Sequence, residues 1–298
     1  MEKTIHKHNC SFVLKSDGLA AEVAHIKFDS EIHKNADNKL IFPDWYDDEH
    51  NIPVLSIGDE AAYGDKHRVT QVFWPQRLRR IGYSSFRCCS NYVFPPNFPD
   101  ELRAIGDYAF YNSGIKGPIT FYKRVPNECS SYPSMLASVG NRAFSGCNNI
   151  NGTLVTSQKK IENYTYCGSG IEQLILGENT ENISAGAFAN CKQLNGKINC
   201  PRSLKKICEY AFWGDLNVQF CLNYGIRYLG SNSLILNNNK PILVLPSSII
   251  RFGYRFVSPS FKKGNFIILV PHQLEKQFKE MEAMYTDKDV ADLRLITY

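Results

Sequence analysis

Two groups of side chains near the start of the chain combine residue types that bind metal ions. His6, His8 and Cys10 offer imidazole and thiolate ligands, and residues 44–50 offer four carboxylates and one imidazole. The acidic group lacks the ordered spacing of a calcium-binding loop, and the His and Cys group stands alone at the polar N-terminus. We therefore expect a solvated loop and a flexible terminus, with no metal ion and no cofactor.

The sequence contains none of the short motifs that commonly position a nucleophile, a phosphate or a catalytic zinc ion. It has no Gly-x-Ser-x-Gly, no Gly-x-x-x-x-Gly-Lys and no His-Glu-x-x-His. Ten cysteines are present, but no Cys-x-x-Cys pair occurs among them. The sequence therefore predicts a protein that is not an enzyme and that holds no structural zinc.

Charge and hydropathy limit the classes of partner. The formal net charge is +5, and the Lys and Arg residues are scattered along the sequence. This distribution predicts no nucleic-acid partner. No apolar stretch approaches the roughly 18 residues that would cross a bilayer, which predicts no membrane span. The first ten residues are polar and do not resemble a secretory signal, so we expect no export address.

A short phrase recurs along most of the chain. It begins with a usually aliphatic residue, here called the anchor, continues with glycine or a small polar residue, and contains an Ala-Phe pair that is often followed by Cys. The anchors are separated by 24, 24, 34, 22, 22, 24, 22 and 23 residues and are Ile57, Ile81, Ile105, Val139, Ile161, Ile183, Ile207, Leu229 and Phe252. A period of about 20 to 29 residues is typical of a leucine-rich-type solenoid, with one strand and one turn or short helix per coil.

Residues 183–203 illustrate how one coil should close. Ile183, Ala187 and Phe188 are expected to point inward across a short helical turn, because their spacing places them on one face. In residues 197–200 apolar and polar side chains alternate, so alternate residues should face the core and the solvent. Equivalent strands of successive coils should pair in register as parallel strands of one continuous sheet.

The cysteines follow the same period. Cys89, Cys147 and Cys191 each lie eight residues after an anchor, where a small residue can be buried. Cys147 and Cys191 are two coils apart, which is about 10 Å at the strand spacing and too far for a disulfide. We therefore expect buried free thiols.

The recurring phrase resembles the BspA-like leucine-rich repeat family, whose coils read close to Leu-x-x-Ile-Gly-x-x-Ala-Phe-x-x-Cys-x-x-Leu-x-x-Ile-x-Leu-Pro. The coils that begin at Leu102, Leu136, Thr180 and Leu204 match this pattern well, and the similarity covers roughly residues 55–271. The resemblance implies a secreted or cell-surface protein of adhesion or interaction that contacts host proteins or neighbouring cells. Because no signal is recognised, a cytoplasmic location is the alternative.

The predicted architecture is an α/β repeat solenoid, a right-handed leucine-rich-repeat-like coil with a continuous parallel sheet. Residues 1–53 should form a β-rich N-terminal cap, residues 54–271 about nine coils, and residues 272–298 a helical C-terminal cap. The helix of this last cap is predicted from the spacing of four residues, Leu274, Phe278, Met281 and Tyr285.

Two surfaces are the predicted binding sites. The first is the strand face, a column of outward residues that a monomer seldom exposes unless they meet a partner. Its members are Phe73, Val93, Thr120, Val155, Ile175, Asn199, Gln219, Val244 and Leu269. The second is an insertion at residues 123–135, where the period lengthens to 34 residues. Arg124 and Tyr132 are its candidate contact residues.

These surfaces favour a non-catalytic module of protein recognition or adhesion. The alternative is an intracellular inhibitor or scaffold protein, which the apparently reduced cysteines favour. Weaker alternatives are a carbohydrate-binding module and an enzyme.

Overall fold

A computed structural model describes residues 1–7, 10–28, 39–47, 52–63, 68–93, 95–119, 121–124, 131–133, 136–156, 158–214, 217–236, 242–259, 266–282 and 293–298. The chain divides into two compact units, Met1–Asn151 and Gly152–Tyr298. The strands of the first unit are β1 (Glu2–Lys7), β2 (Cys10–Ser16), β3 (Ala21–Phe28), β4 (Lys39–Ile41), β5 (Trp45–Asp47), β6 (Ile52–Ile57), β7 (Gln71–Phe73), β8 (Arg80–Ile81), β9 (Ala104–Ile105), β10 (Tyr122–Arg124), β11 (Ser131–Pro133) and β12 (Ser138–Val139).

The second unit continues the same alternation of short strands and turns. Its strands are β13 (Thr153–Thr156), β14 (Lys160–Ile161), β15 (Gln173–Leu176), β16 (Asn182–Ile183), β17 (Asn195–Asn199), β18 (Lys206–Ile207), β19 (Asn217–Cys221), β20 (Tyr228–Leu229), β21 (Leu234–Leu236), β22 (Ile242–Val244), β23 (Arg251–Phe252), β24 (Val257–Pro259), β25 (Phe266–Val270) and β26 (Leu293–Thr297). A 3₁₀ turn, His272–Leu274, leads into the helix α1 (Glu275–Glu282).

Parallel pairing runs through the anchor residues of both units. In the first unit Ile57, Ile81, Ile105 and Val139 pair in register on β6, β8, β9 and β12. In the second unit the same parallel, in-register pairing of anchors joins β14, β16, β18, β20 and β23. The predicted solenoid of parallel, in-register coils is confirmed. Strands that lie between the anchor strands in the sequence form shorter parallel sheets. These sheets are β4–β7, β13–β15, β17–β19, β21–β24 and β22–β25–β26.

After seven of the nine anchors the chain forms a run of turns, and after Leu229 and Phe252 a turn leads into β21 and β24, so the prediction of a short helical turn is wrong. The third residue after the anchor has a left-handed backbone, as at Tyr108 (φ 57°) and Gly186 (φ 61°). Such a residue interrupts a right-handed helix and turns alternate amides toward the next coil. Phe188 N–H accordingly donates to Ala211 O at 2.8 Å. Alternate amides are thus satisfied between coils, while those between them bond within the turn, as Ala189 N–H does to Gly186 O at 3.0 Å.

Aromatic rings of the phrase stack on one another in the core of each unit. In the first unit Phe110 lies between Phe86 and Phe144, with ring centroids 5.4 and 5.2 Å apart and nearly parallel planes. In the second unit Phe188 is stacked on Tyr166 at 5.4 Å. All of these rings are fully buried. The inward position predicted for the Phe of the phrase is confirmed.

The cysteines that follow the phrase are buried beside these rings. Cys147 Sγ donates to Phe110 O at 2.9 Å, and Ser113 Oγ lies 3.4 Å away at the matching position of the preceding coil. Cys191 repeats the arrangement with Tyr166 O at 3.0 Å. None of the eight cysteines whose side chains the structure describes forms a disulfide bond.

We expect the most buried thiols to resist alkylation until the protein unfolds. Burial raises the pKa of Cys147, Cys191 and Cys200 to about 12, so at pH 8 only about one in ten thousand of each is thiolate. Iodoacetamide labelling followed by mass spectrometry should modify half-exposed Cys88 and Cys221 first. Labelling of Cys147 in the native protein as fast as that of Cys88 would show that its coil is not packed as described.

Different secondary structures close the two ends of the chain. β1, β2 and β3 pair antiparallel, and β3 then pairs in parallel with β6. At the other end Phe278 of α1 packs edge-on against Phe252 and Phe256 at 5.9 and 5.8 Å. Beyond the helix, β26 adds a parallel strand to β25. Tyr285 lies outside the described residues, and the three domain boundaries stay predictions.

Candidate functional site

The strand face of the second unit carries an exposed apolar patch on three neighbouring strands. Val244 pairs with Leu269, which pairs with Ile296, and Ile242 pairs with Ile267 beside them. Ile242, Val244 and Ile296 are each 47% exposed, and the two residues of the central strand are half-buried. We call these five residues the C-terminal apolar patch. The sequence predicted Val244 and Leu269 as site residues, but it placed Ile296 in the cap.

Other predicted strand-face residues also lie at the surface. Val155 pairs with Ile175, which is 54% exposed. In the first unit Phe73 and Val93 are 44% and 45% exposed. Thr120 lies outside the described residues.

The middle of the predicted column has a different register. Asn199 pairs with Cys221, and Lys197 pairs with Gln219, so the predicted alignment of Asn199 with Gln219 is wrong by two residues. Asn199 is exposed and Gln219 half-buried, so both remain on the outward side. Gly196 pairs with Val218 and Ile198 with Phe220. A shift of two residues keeps each side chain on the same face, so the alternation of apolar and polar residues does not distinguish the two registers.

The insertion contains a short antiparallel hairpin of β10 and β11. Arg124 pairs with Ser131, and Lys123 pairs with Tyr132. The side chains of Arg124 and Tyr132 lie outside the described part of the chain, as do residues 125–130. Their contact role stays a prediction.

The acidic and histidine-containing segments of the N-terminal region have ordinary polar contacts where they are described. Asp44 Oδ1 accepts a hydrogen bond from Gln76 N–H at 2.8 Å, and His6 Nδ1 lies 2.9 Å from Ser11 Oγ. His8 and residues 48–50 lie outside the described residues. In the parts that are described, no three His, Cys, Asp or Glu side chains form a group that could hold a metal ion, and no helix is long and apolar enough to span a membrane.

The turns of the first unit present an aromatic and cationic cluster that the sequence reasoning missed. Tyr83 and Tyr108 lie edge to face at 6.0 Å, and the Arg87 guanidinium lies 5.7 Å from the Tyr108 ring and 5.4 Å from the Tyr111 ring. Tyr and Arg are common in protein interfaces. The available signal was the recurrence of aromatic residues three and six positions after an anchor, as in Tyr108 and Tyr111.

Solved structures that align with this chain include leucine-rich repeat proteins of bacteria. A leucine-rich repeat protein from Bacteroides ovatus aligns with a TM-score of 0.57 at 18% identity, over 98% of this chain and 76% of that one. The T. pallidum leucine rich repeat protein aligns with a TM-score of 0.48 at 17% identity, over 97% of this chain and 100% of that one. A leucine rich cell surface protein from Faecalibacterium prausnitzii aligns with a TM-score of 0.44 at 14% identity, over 98% of this chain and 94% of that one.

The sequence itself matches a family of repeats. Among curated proteins there is no significant match. Six copies of the BspA type leucine rich repeat region match residues 55–151, 117–214 and 159–268. These ranges contain all nine anchors, whose strands pair in parallel within each unit. The chain therefore belongs to the BspA type leucine-rich repeat family.

Proposed function

We propose that this protein is a non-catalytic recognition module that binds a protein partner through its strand face. The observation that carries the proposal is the C-terminal apolar patch, in which five aligned apolar side chains face outward from β22, β25 and β26. A contiguous exposed apolar surface rimmed by polar residues is a common feature of protein interaction sites. The exposed Phe73 and Val93 extend the same role to the first unit.

The outer side chains of the patch, those of Ile242, Val244 and Ile296, keep about half of their surface exposed in the free protein, which supports a role in binding. On the same strands Leu243 and Ile268 are fully buried, so the core of these coils is filled from the inward side. Exposed apolar side chains gain about 25 cal/mol per Å² only when another surface covers them. A partner that covers Val244 and Ile296 would supply that gain.

Adhesion to a host or neighbouring-cell protein is the form of recognition that we favour, because the chain belongs to a family whose members are commonly surface proteins. An intracellular inhibitor or scaffold is the competing form. The hairpin at residues 122–133 would add contacts in either case.

The proposal predicts that single charges on the strand face abolish binding without loss of stability. Val244→Asp and Ile175→Asp should each reduce capture of the partner from the native source by about a hundredfold, because a carboxylate would be buried unpaired in an apolar interface. Each melting temperature should stay within about 2 °C of the wild type, since both side chains are exposed in the free protein.

Tyr254→Asp is the matched control, because Tyr254 is 54% exposed in the same unit but lies on a turn. This variant should capture the partner as well as the wild type does. Unchanged capture by both strand-face variants, measured by quantitative mass spectrometry, would contradict the proposal. Loss of several kcal/mol of stability would instead place those residues in the core.

A further inference from the structure

We propose that the second unit has a separate binding site for a linear sulfated polysaccharide, formed by cations along its anchor strands. The two residues before each anchor point outward, while the anchor itself is buried or half-buried. In four of the five coils these outward positions hold Lys or Arg. We call these exposed cations the basic ladder, and they are Lys159, Lys160, Lys205, Lys206, Arg227 and Arg251.

Backbone pairing aligns the ladder. Lys160 pairs with Asn182, which pairs with Lys206. Lys206 pairs with Tyr228, which pairs with Arg251. At about 4.8 Å per strand, Lys160, Lys206 and Arg251 follow one line at intervals of about 10 Å, over about 19 Å. Lys159, Lys205 and Arg227 form a parallel line one residue away.

The ladder has more positive charge than its carboxylates neutralise. Glu181 lies between the ladder lysines, 3.5 Å from Lys159 Nζ and 3.2 Å from Lys205 Nζ. These lysines lower the pKa of Glu181, Lys205 through its hydrogen bond most of all, so this carboxylate is charged at neutral pH. Lys160 Nζ lies 2.6 Å from a Glu162 carboxylate oxygen.

Half of the ladder has no such partner. No carboxylate of the described residues lies within ion-pair distance of Lys206, Arg227 or Arg251. Counting the nearby Glu209 as well, six cations face three carboxylates. A row of incompletely paired cations attracts a polymer that carries regularly spaced anionic groups.

The shape and chemistry of the ladder favour a polysaccharide over a nucleic acid. Proteins that bind single strands stack bases on exposed aromatic rings. Between Lys206 and Arg251 lies Tyr228, whose hydroxyl donates to Glu209 and whose ring faces the Arg251 guanidinium at 6.0 Å. Along the anchor strands the site therefore offers lines of charge, and the Tyr228 ring between them is already engaged by Glu209 and Arg251. Sulfate groups spaced along a sugar chain can pair with cations arranged in this way.

The first test measures binding of heparin oligosaccharides to the full chain by calorimetry at several salt concentrations. The triple variant Lys206→Gln, Arg227→Gln, Arg251→Gln should bind about tenfold more weakly and with a shallower salt dependence, because fewer counterions are released. The control triple Arg77→Gln, Lys116→Gln, Lys192→Gln makes the same change in net charge at exposed sites off the ladder. It should bind within about twofold of the wild type.

A second comparison removes negative charge instead of positive charge, so heparin binding should become tighter. Glu181→Gln removes a carboxylate from the ladder and should tighten heparin binding about threefold, while Glu178→Gln, exposed and off the ladder, should leave it unchanged. The proposal is overturned if heparin does not bind or if both triples weaken it equally. It is also overturned if single-stranded DNA binds more tightly than heparin and loses affinity in the ladder triple. Binding of heparin by Val244→Asp at wild-type strength would separate this site from the strand face.

Discussion

Replacing Phe188 with alanine is expected to lower the free energy of unfolding by about 3 to 5 kcal/mol, the usual cost of removing a buried aromatic ring. Phe188 is fully buried, and its ring lies between Tyr166 at 5.4 Å and Phe212 at 5.3 Å. Removing the central ring deprives two neighbouring coils of a stacking surface at once. Urea titration monitored by circular dichroism would measure the loss.

Two further variants show whether the loss comes from the ring stack. Phe188→Leu keeps most of the buried volume and should cost about 1 to 1.5 kcal/mol. Tyr210→Ala removes an aromatic ring from the same unit at a site that is 44% exposed, and it should cost less than about 1 kcal/mol. A cost for Phe188→Ala no larger than that for Tyr210→Ala would contradict the described packing of the coils.

Gly106→Ala should destabilise the first unit by about 1 to 3 kcal/mol, because the added methyl group has no space between two coils. A Cβ at this position would lie 2.7 Å from Gly82 C and 2.7 Å from Tyr83 N. These are backbone atoms of the preceding coil, which move only if the anchor strands separate. Without this clash, Gly→Ala would stabilise the protein by about 0.4 to 1 kcal/mol through the unfolded state, so the sign of the change is diagnostic.

Ser184 provides the matched control, since it occupies the same position after its anchor and already carries a Cβ. Its buried hydroxyl has no hydrogen-bond partner among the described residues, so Ser184→Ala should be neutral or slightly stabilising. Thermal unfolding of both variants would decide the matter. A melting temperature for Gly106→Ala at or above that of the wild type would mean that the coils are further apart than described.

The sequence allowed the coil and its core to be predicted, because every coil buries the same positions. Phe110 and Phe188 each lie five residues after an anchor, and Cys147 lies eight residues after one. All three are buried, as the repeat pattern predicted. The turn after the anchor was predicted incorrectly, since the spacing of Ile183 and Phe188 suits a helix as well. The amide of Phe188 bonds to the following coil instead, and this choice depends on contacts that are distant in the sequence.

The surfaces were less accessible to prediction than the core. Alternation showed that Val244 and Ile175 point outward, but the register of Asn199 depended on pairing between coils. The basic ladder escaped notice because Lys160 and Lys206 are 46 residues apart in the sequence and two strands apart in the sheet. Cations that are far apart in a repeat sequence can thus lie close together on the folded protein.

The hydrogen bonds between turns also affect how such a gene can change. Phe188 N–H donates to Ala211 O, and Phe212 N–H donates to Ser233 O at the same step of the next coil. Each coil thus receives and passes on an equivalent set of backbone bonds, whatever its outward side chains are. Unequal recombination can therefore add or remove a whole coil in frame and leave no donor orphaned. The number of coils can vary within a lineage while the exposed residues diversify.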